Sequence, residues 1–183
     1  MPFNFNLPVR YGFIGGFIVC IISMVSYLFY KQLFGSLTIQ SIFGIAYFGL
    51  IIFIPVWGTV TCKRAVGKLT FQQAFLTSVI IIAITMAFSS VMSYVIPNLI
   101  DTDYPTQLHE LVVKNTTETM EKFGAPDDKI EEALERIKLE DFQPTLLATL
   151  KSYGISLAAG AVLSILIGLF VSRPDKQQPQ PIE

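Results

Sequence analysis

A chain of 183 residues with 52% hydrophobic residues, 15% charged residues and a formal net charge of −1 does not fit an ordinary soluble domain, in which about 25% of residues are charged. Long runs of the sequence carry no charge, whereas one middle segment carries most of the acidic residues. This distribution indicates an integral membrane protein. We therefore expect a lipid bilayer around the chain and no nucleic acid as a partner.

The first apolar run, residues 11–30, reads YGFIGGFIVCIISMVSYLFY and follows a short N-terminus of residues 1–10. Its length matches the roughly 20 residues that a membrane-spanning helix needs and exceeds the apolar core of about 7–15 residues in a secretory signal. No small-residue cleavage pattern follows it. We therefore predict a retained signal-anchor helix.

Three further apolar runs cover residues 38–61, 71–96 and 152–171, and none of the four runs contains Asp, Glu, Lys, Arg or His. Because a backbone inside hydrocarbon must satisfy its own hydrogen bonds, each run is predicted to be a helix. The predicted fold class is an all-α integral membrane protein with four transmembrane helices and an acidic two-helix insertion between the third and the fourth.

Three local signals place helix ends in this scheme. Thr70 followed by Gln73 fits a capping box at the start of the third helix. Pro97 is expected to end or kink that helix, and Pro144 is expected to lie in the first turn of the fourth helix. The Pro- and Gln-rich tail, residues 172–183, is predicted to be disordered.

Basic residues outside the spans predict the orientation. Because basic residues favour the cytoplasmic side, we predict that both termini are cytoplasmic and that residues 97–151 are extracytoplasmic in a bacterial inner membrane. The residues on the predicted cytoplasmic side are Arg10, Lys63, Arg64, Lys68, Arg173 and Lys176.

The acidic segment 97–151 contains two helical patterns that are separated by Gly124, a residue typical of a helix end. The second pattern begins at Pro126, with Asp127 and Asp128 placed favourably for the helix dipole. Together they predict a helical hairpin that is too small to be stable alone, so its apolar face must rest on the spans, a partner or a second copy. The candidate interaction face comprises Leu108, Leu111, Val112, Phe123, Ile130, Leu134 and Ile137.

Small residues recur at four-residue spacing in the first and fourth predicted spans, and such faces allow close approach between helices. We expect them to pack within the bundle, with contact between copies as the alternative. The candidate packing residues are Gly12, Gly16, Ser156, Gly160, Ser164 and Gly168.

The sequence has no motif of enzyme or metal chemistry. The single histidine, His109, lacks neighbours at metal-ligand spacing, so we expect it to be a solvated helix residue. Cys20 and Cys62 fall at different depths of the predicted bundle and are expected not to form a disulfide. Spans without ionisable residues disfavour proton relays and intramembrane acid–base catalysis. We predict a non-enzymatic protein with no metal and no cofactor.

The layout resembles a family of bacterial membrane proteins known as domain of unknown function 4199. The resemblance lies in YGFIGGF in the first span, GKLTFQQAF before the third, VIPNLIDTDY after it and KFGAPDDKIEEALE in the acidic segment. Members often have Asp-Pro after the third span, where this chain has IDTDY. The resemblance implies a bacterial inner-membrane protein and brings no activity and no catalytic residues.

Three hypotheses about function follow. In the first, the acidic hairpin docks a partner or a second copy. In the second, the chain is a small channel or carrier for a neutral or apolar solute, lined by Thr85, Ser89 and Ser93, which share one helix face. In the third, the chain is an accessory subunit of a membrane enzyme.

Overall fold

The computed structural model describes residues 5–35 and 37–173, and within these ranges every regular element is helical. Helix α4 continues into a π-helical turn, Ile96–Ile100, and a 3-10 turn, Leu139–Phe142, precedes the last helix. Residues 1–4 of the predicted N-terminus and most of the tail predicted to be disordered, 174–183, lie outside the described residues. The helices are α1 Asn6–Leu28, α2 Tyr30–Phe34, α3 Leu37–Val66, α4 Phe71–Val95, α5 Tyr104–Lys122, α6 Asp127–Glu135 and α7 Leu146–Val171.

Four of these helices are long and apolar enough to cross a membrane, which confirms the predicted number of spans in the described part of the chain. Two of them start well before their apolar runs, α1 at Asn6 and α7 at Leu146. The start of α7 is set by a cap, because the Thr145 hydroxyl accepts a hydrogen bond from the Ala148 amide at 3.1 Å. Pro144 therefore lies just before the helix. The prediction that it lies in the first turn of the helix was wrong.

The start of α4 agrees with the sequence. The Thr70 hydroxyl accepts from the Gln73 amide at 3.3 Å, and the Gln73 side chain accepts from the Thr70 amide at 3.0 Å, so the predicted capping box is confirmed. At the other end, α4 stops at Val95 and Pro97 lies in the π-helical turn that follows. This position agrees with the prediction that Pro97 ends or kinks the helix.

Helix α4 is the centre of the bundle, and α1 and α7 pack along it. Glycines make this close packing possible. A Cβ atom added at Gly12 would lie 2.8 Å from Ile84 Cβ, and one added at Gly160 would lie 2.6 Å from Ile82 Cγ2. Both distances are far below van der Waals contact, so the α1–α4 and α4–α7 separations require glycine at these positions.

The end of the bundle that carries the start of α1 and the end of α7 is called the proximal end below, and the opposite end is the distal end. A buried cluster closes the proximal end with residues from the loop before α4 and from three helices. The Lys63 Nζ atom also donates to the Arg173 carbonyl oxygen at 3.1 Å. The cluster consists of Cys62, Leu69, Ala74, Ile167 and Val171.

Helix α3 packs closely on its neighbours in its proximal half. A Cβ atom at Gly58 would lie 2.7 Å from Ile81 Cδ1, whereas added Cβ atoms at Gly44 and Gly49 meet nothing within 4 Å. Pro55 stands between the two halves and has no backbone N–H for the helical hydrogen bond to residue 51. Gly44 and Gly49 lie on the exposed outer face of the distal half, whereas the Tyr47 hydroxyl on its inner face is 3.3 Å from Ser89 Oγ of α4.

The segment between α4 and α7 forms helices at the distal end. Helix α5 ends at Lys122, Gly124 adopts a φ of 70°, and α6 begins after Pro126. These positions confirm the predicted helix stop and start, because a positive φ favours glycine. Helix α6 ends at Glu135, so Ile137, a member of the candidate interaction face, lies beyond the helix and not inside it as expected. Helices α5 and α6 contact each other.

Candidate functional site

Asp101 joins the end of α4 to α1 and α5 at the distal end. Its Oδ2 atom accepts from the Tyr27 hydroxyl at 3.1 Å, and its Oδ1 atom accepts from the backbone amides of Asp103 and Tyr104, each at 3.1 Å. The Tyr30 hydroxyl donates to the Gln107 side-chain oxygen. These bonds hold the start of α5 against α1 and α2.

Three tyrosine rings pack around the same point. The Tyr104 ring lies edge-on to Tyr27 at 5.4 Å and to Tyr30 at 5.1 Å between ring centroids. Burial raises the pKa of the Tyr104 phenol, and the nearby Tyr30, Tyr27 and Asp101 raise it further. Because an ordinary tyrosine pKa is already about 10, Tyr104 keeps its hydroxyl proton at neutral pH.

His109 has a structural role that the sequence did not indicate. Its Nε2 atom lies 3.0 Å from the Ile137 carbonyl oxygen and therefore donates to it, and its ring lies edge-on to Phe142 at 5.5 Å. The expectation of a solvated side chain was wrong, since the half-buried ring holds the chain after α6 against α5. Within residues 5–35 and 37–173, no group of three or more His, Cys, Asp or Glu side chains is placed to hold a metal ion.

A cleft of about 430 Å³ lies at the distal end between α1, α3 and α4, beside α5 and the 3-10 turn. This volume falls within the range of about 300–1,000 Å³ that is typical of ligand sites. We call it the distal cleft. Its lining residues are Ser23, Ser26, Tyr27, Phe43, Tyr47, Ser89, Met92, Ser93, Ile96, Pro97, Tyr104, Leu108, Asp141, Phe142 and Pro144.

The distal cleft combines hydroxyl groups, aromatic rings and one carboxylate. Four serines and three tyrosines contribute hydroxyls, and Asp141, which is exposed, contributes the carboxylate. Among the described residues that line the cleft there is no Lys, Arg or His. The cleft can therefore donate and accept hydrogen bonds and favours a neutral or positively charged group over an anion.

A second cavity, of about 460 Å³, lies between α3, α4 and α7 at the middle of the spans and is called the mid-span cavity. Tyr47 and Ser89 line both the distal cleft and the mid-span cavity, and their hydroxyl oxygens are 3.3 Å apart. Apart from Tyr47, Ser89 and Ser156, the lining is apolar. It consists of Tyr47, Phe48, Ile51, Ile52, Ile82, Met86, Ser89, Ser156, Ala159, Gly160 and Leu163.

The residues predicted to form a polar path do not all reach these cavities. Ser89 and Ser93 line the distal cleft, whereas Thr85 is buried against α1 and donates to the Gly12 carbonyl oxygen at 3.4 Å. Sequence reasoning missed Ser23 and Ser26 of α1. Their three-residue spacing places them on one helix face. This spacing could have indicated a polar face on the first span, but the predicted polar lining was confined to the third.

The predicted interaction face is distributed between buried and exposed positions. Ile130 is 9% exposed, and Phe123, at the end of α5, is 86% exposed. Leu108 lines the distal cleft. The other four members, Leu111, Val112, Leu134 and Ile137, are half-buried. The structure therefore leaves Phe123 as the freely accessible member of this set.

The predicted packing residues are placed as follows. Gly12, Gly16, Gly160 and Gly168 are each within 3.0 Å of a neighbouring helix's side chain, measured from an added Cβ atom. Ser164 is buried, with its Oγ atom 3.1 Å from Ser78 Oγ, and Ser156 lines the mid-span cavity. Cys20 and Cys62 are both free thiols.

A family model described as "Protein of unknown function (DUF4199)" matches residues 10–173. No curated protein and no solved structure matches the chain.

Proposed function

This chain belongs to the DUF4199 family of proteins of unknown function, and since that membership assigns no activity, we propose from the geometry that it is a non-enzymatic membrane protein that binds a small organic molecule in the distal cleft. The observation that carries the proposal is the convergence of Ser23, Ser26, Ser89 and Ser93 from two helices on one cavity. A pocket with aromatic walls and a few convergent polar groups is the usual form of a small-molecule site.

The orientation is part of the proposal. We place both termini in the cytoplasm of a bacterial inner membrane, because basic residues at the proximal end fit the positive-inside rule. The distal cleft and the segment that contains α5 and α6 then face the extracytoplasmic side. Arg10, Lys63, Arg64 and Lys68 support this placement.

The test uses a small neutral photolabel, phenyl trifluoromethyl diazirine, on the purified protein in lipid nanodiscs. We expect labelling of the cleft residues to saturate with concentration, because the cleft has a limited volume, whereas labelling of lipid-facing residues rises without saturation. Labelled positions are mapped by mass spectrometry. Cleft labelling that does not saturate contradicts the proposal.

Adjacent serines provide a matched pair of variants for this experiment. Ser89→Phe fills the cleft, whereas Ser90→Phe points into a separate groove of about 270 Å³ between α4 and α7. The proposal expects Ser89→Phe to abolish the saturable labelling and Ser90→Phe to leave it. Equal effects of the two variants would show that the labelling does not depend on the cleft.

A second candidate function is favoured by Phe123. Phe123, at the end of α5, is 86% exposed and lies outside the candidate spans, and phenylalanine is a residue type enriched in protein–protein interfaces. Because Ile130 is buried, the position to test is Phe123 and not an apolar residue of α6. A photocrosslinking amino acid at position 123 should give one crosslinked product that the same group at Glu131 does not give. A product of twice the chain mass identifies a second copy, and no product from position 123 contradicts docking there.

The role of an accessory subunit of a membrane enzyme is the remaining alternative, and it differs from docking only in the partner. Purification in a mild detergent separates the two, because an accessory subunit leaves the membrane together with its enzyme in a fixed ratio.

A further inference from the structure

The distal cleft and the mid-span cavity lie next to each other along α4. The cleft reaches Ile96 at the distal end, and the cavity reaches Ile82 at the middle of the helix. At a rise of 1.5 Å per residue this path is about 21 Å long. Tyr47 and Ser89 lie where the cleft and the cavity meet, since both residues line both spaces.

The two ends of this path differ in chemistry. The distal end offers serine and tyrosine hydroxyls and the exposed carboxylate of Asp141, whereas the inner end offers Ile52, Ile82 and Leu163. Met86 also lines the inner end, and its flexible side chain adapts to irregular apolar shapes. A molecule that satisfies both ends is polar at one end and apolar at the other.

The charged and aromatic residues that line the cleft indicate the charge of the ligand's polar end. Asp141 is a carboxylate without a lysine, arginine or histidine among the described residues that line the cleft. Aromatic rings, including Tyr104 and Phe142, stand in the same cleft, and ring faces attract ammonium groups. A cationic head is therefore favoured over an anionic one.

We infer that the ligand is a single-chain amphiphile with a cationic ammonium head, whose head occupies the distal cleft beside Asp141 and whose apolar chain passes Tyr47 and Ser89 into the mid-span cavity. This inference rests on the proposed function, because it names the ligand class of the same site. The passage is open to displacement, since the Tyr47–Ser89 hydroxyl pair is long at 3.3 Å compared with about 2.7–2.8 Å for an ordinary hydroxyl pair.

The passage also depends on how α3 packs. Pro55 lies between the proximal half of α3, where Gly58 packs on Ile81, and the distal half, where Phe43 and Tyr47 line the distal cleft. Tyr47 lies in that distal half, so a rotation of its side chain away from Ser89 leaves the packing of Gly58 against Ile81 in place. The chain of the amphiphile can therefore enter without loss of the proximal core.

The experiment uses two probes with the same twelve-carbon chain and a diazirine at the chain end. One probe carries a trimethylammonium head and the other a sulfonate head. With the purified full-length protein in nanodiscs, we expect the ammonium probe to label Ile82, Met86 and Leu163 saturably. The sulfonate probe is expected to label them several-fold less at equal concentration.

Variants connect the labelling to the named residues. Asp141→Asn should raise the half-saturating concentration of the ammonium probe about two- to fivefold, the usual effect of losing an exposed charge pair. Asp128→Asn, an exposed acid on α6, should not change it. Ser89→Phe should shift the label of the chain end from the mid-span cavity to the distal cleft or abolish it, and Ser90→Phe should leave the mid-span label in place.

The outcomes separate the inference from the proposed function. Equal labelling by both heads, or an Asp141→Asn variant that behaves like the parent, overturns the cationic head. Label found only on lipid-facing residues overturns the chain in the mid-span cavity. In each case saturable labelling by the small neutral diazirine still supports a ligand site in the distal cleft, whereas its absence removes both.

Discussion

Tyr27 and Asp101 are joined by a hydrogen bond of 3.1 Å between the Tyr27 hydroxyl and Asp101 Oδ2. The bond connects the distal end of α1 to the residue that follows the π-helical turn after α4, and Asp101 at the same time accepts two backbone amides at the start of α5. The position of α5, and with it one wall of the distal cleft, therefore depends on a tyrosine in the first span.

The first prediction concerns this bond. Tyr27→Phe removes the donor to a carboxylate, and a hydrogen bond to a charged group contributes about 1.5–3 kcal/mol. Because the site is partly exposed, we expect a loss of stability at the lower end of that range and faster amide exchange at Asp103 and Tyr104. Hydrogen–deuterium exchange in detergent measures the exchange rates. The control is Tyr94→Phe, since no side-chain hydrogen bond of the Tyr94 hydroxyl is present in the described part of the chain. Unchanged exchange in Tyr27→Phe would show that α5 is held by other contacts.

The second prediction compares two glycines. A Cβ atom at Gly15 would lie 2.6 Å from Ile54 Cγ2 and 2.7 Å from Thr85 Oγ1, whereas one at Gly44 meets nothing within 4 Å. Both neighbours of Gly15 are buried and come from different helices, so Gly15→Ala forces α1 away from α3 and α4 at a cost of about 1–3 kcal/mol. Gly44→Ala should be neutral or slightly stabilising, because alanine favours the helix. Thermal unfolding in detergent compares the stabilities of the two variants. Equal stabilities would contradict the close packing of Gly15 on Ile54 and Thr85.

The third prediction concerns the buried serines between α4 and α7. Ser164 Oγ lies 2.8 Å from the Gly160 carbonyl oxygen and 3.1 Å from Ser78 Oγ. A hydroxyl has one hydrogen and a carbonyl only accepts, so Ser164 donates to Gly160 and Ser78 donates to Ser164. A double-mutant cycle of Ser78→Ala and Ser164→Ala should give a coupling of about 0.6 kcal/mol, the average for such bonds in a membrane protein. Zero coupling would mean that the two hydroxyls do not interact.

The fourth prediction separates the folding of α6 from docking. Ile130 is buried in the packing of α6, so Ile130→Ala should destabilise that helix by about 2 kcal/mol, the low end for such a truncation. Amide exchange in α6 should then be about 30-fold faster. Phe123→Ala should leave exchange in α6 unchanged, because Phe123 is exposed. If both variants leave α6 unchanged, Ile130 does not hold it.

The fifth prediction concerns topology. In a background with Cys20 and Cys62 replaced by alanine, Asp128→Cys should react with a membrane-impermeant maleimide added to intact cells. Lys68→Cys should react only after permeabilisation, because we propose that the loop between α3 and α4 lies in the cytoplasm. Reaction of Lys68→Cys but not of Asp128→Cys in intact cells would reverse the proposed orientation.

The start of α4 and the turn between α5 and α6 could be predicted because local groups determine them. The Thr70–Gln73 cap and the αL conformation at Gly124 involve neighbours in sequence. The roles of His109 and Asp101 could not be predicted in this way. His109 donates to Ile137 and Asp101 accepts from Tyr27, and partners so distant in sequence leave no local pattern. The lining of the distal cleft could be predicted only in part. Ser89 and Ser93 share one face of α4, whereas Ser23, Tyr47 and Asp141 come from three other parts of the chain.

The sequence by itself determined that four apolar helices would form and where several of them begin, because the length of an apolar run, the backbone's need for hydrogen bonds in hydrocarbon and the capping residues act locally. Only the tertiary structure decided that α4 is the central helix and that two cavities lie between it and the distal half of α3. The reason is steric. Glycines on α1 and α7 admit side chains of α4, whereas Gly44 and Gly49 of α3 meet nothing. Which glycine faces a neighbouring helix and which faces outward depends on the rotation of each helix about its own axis.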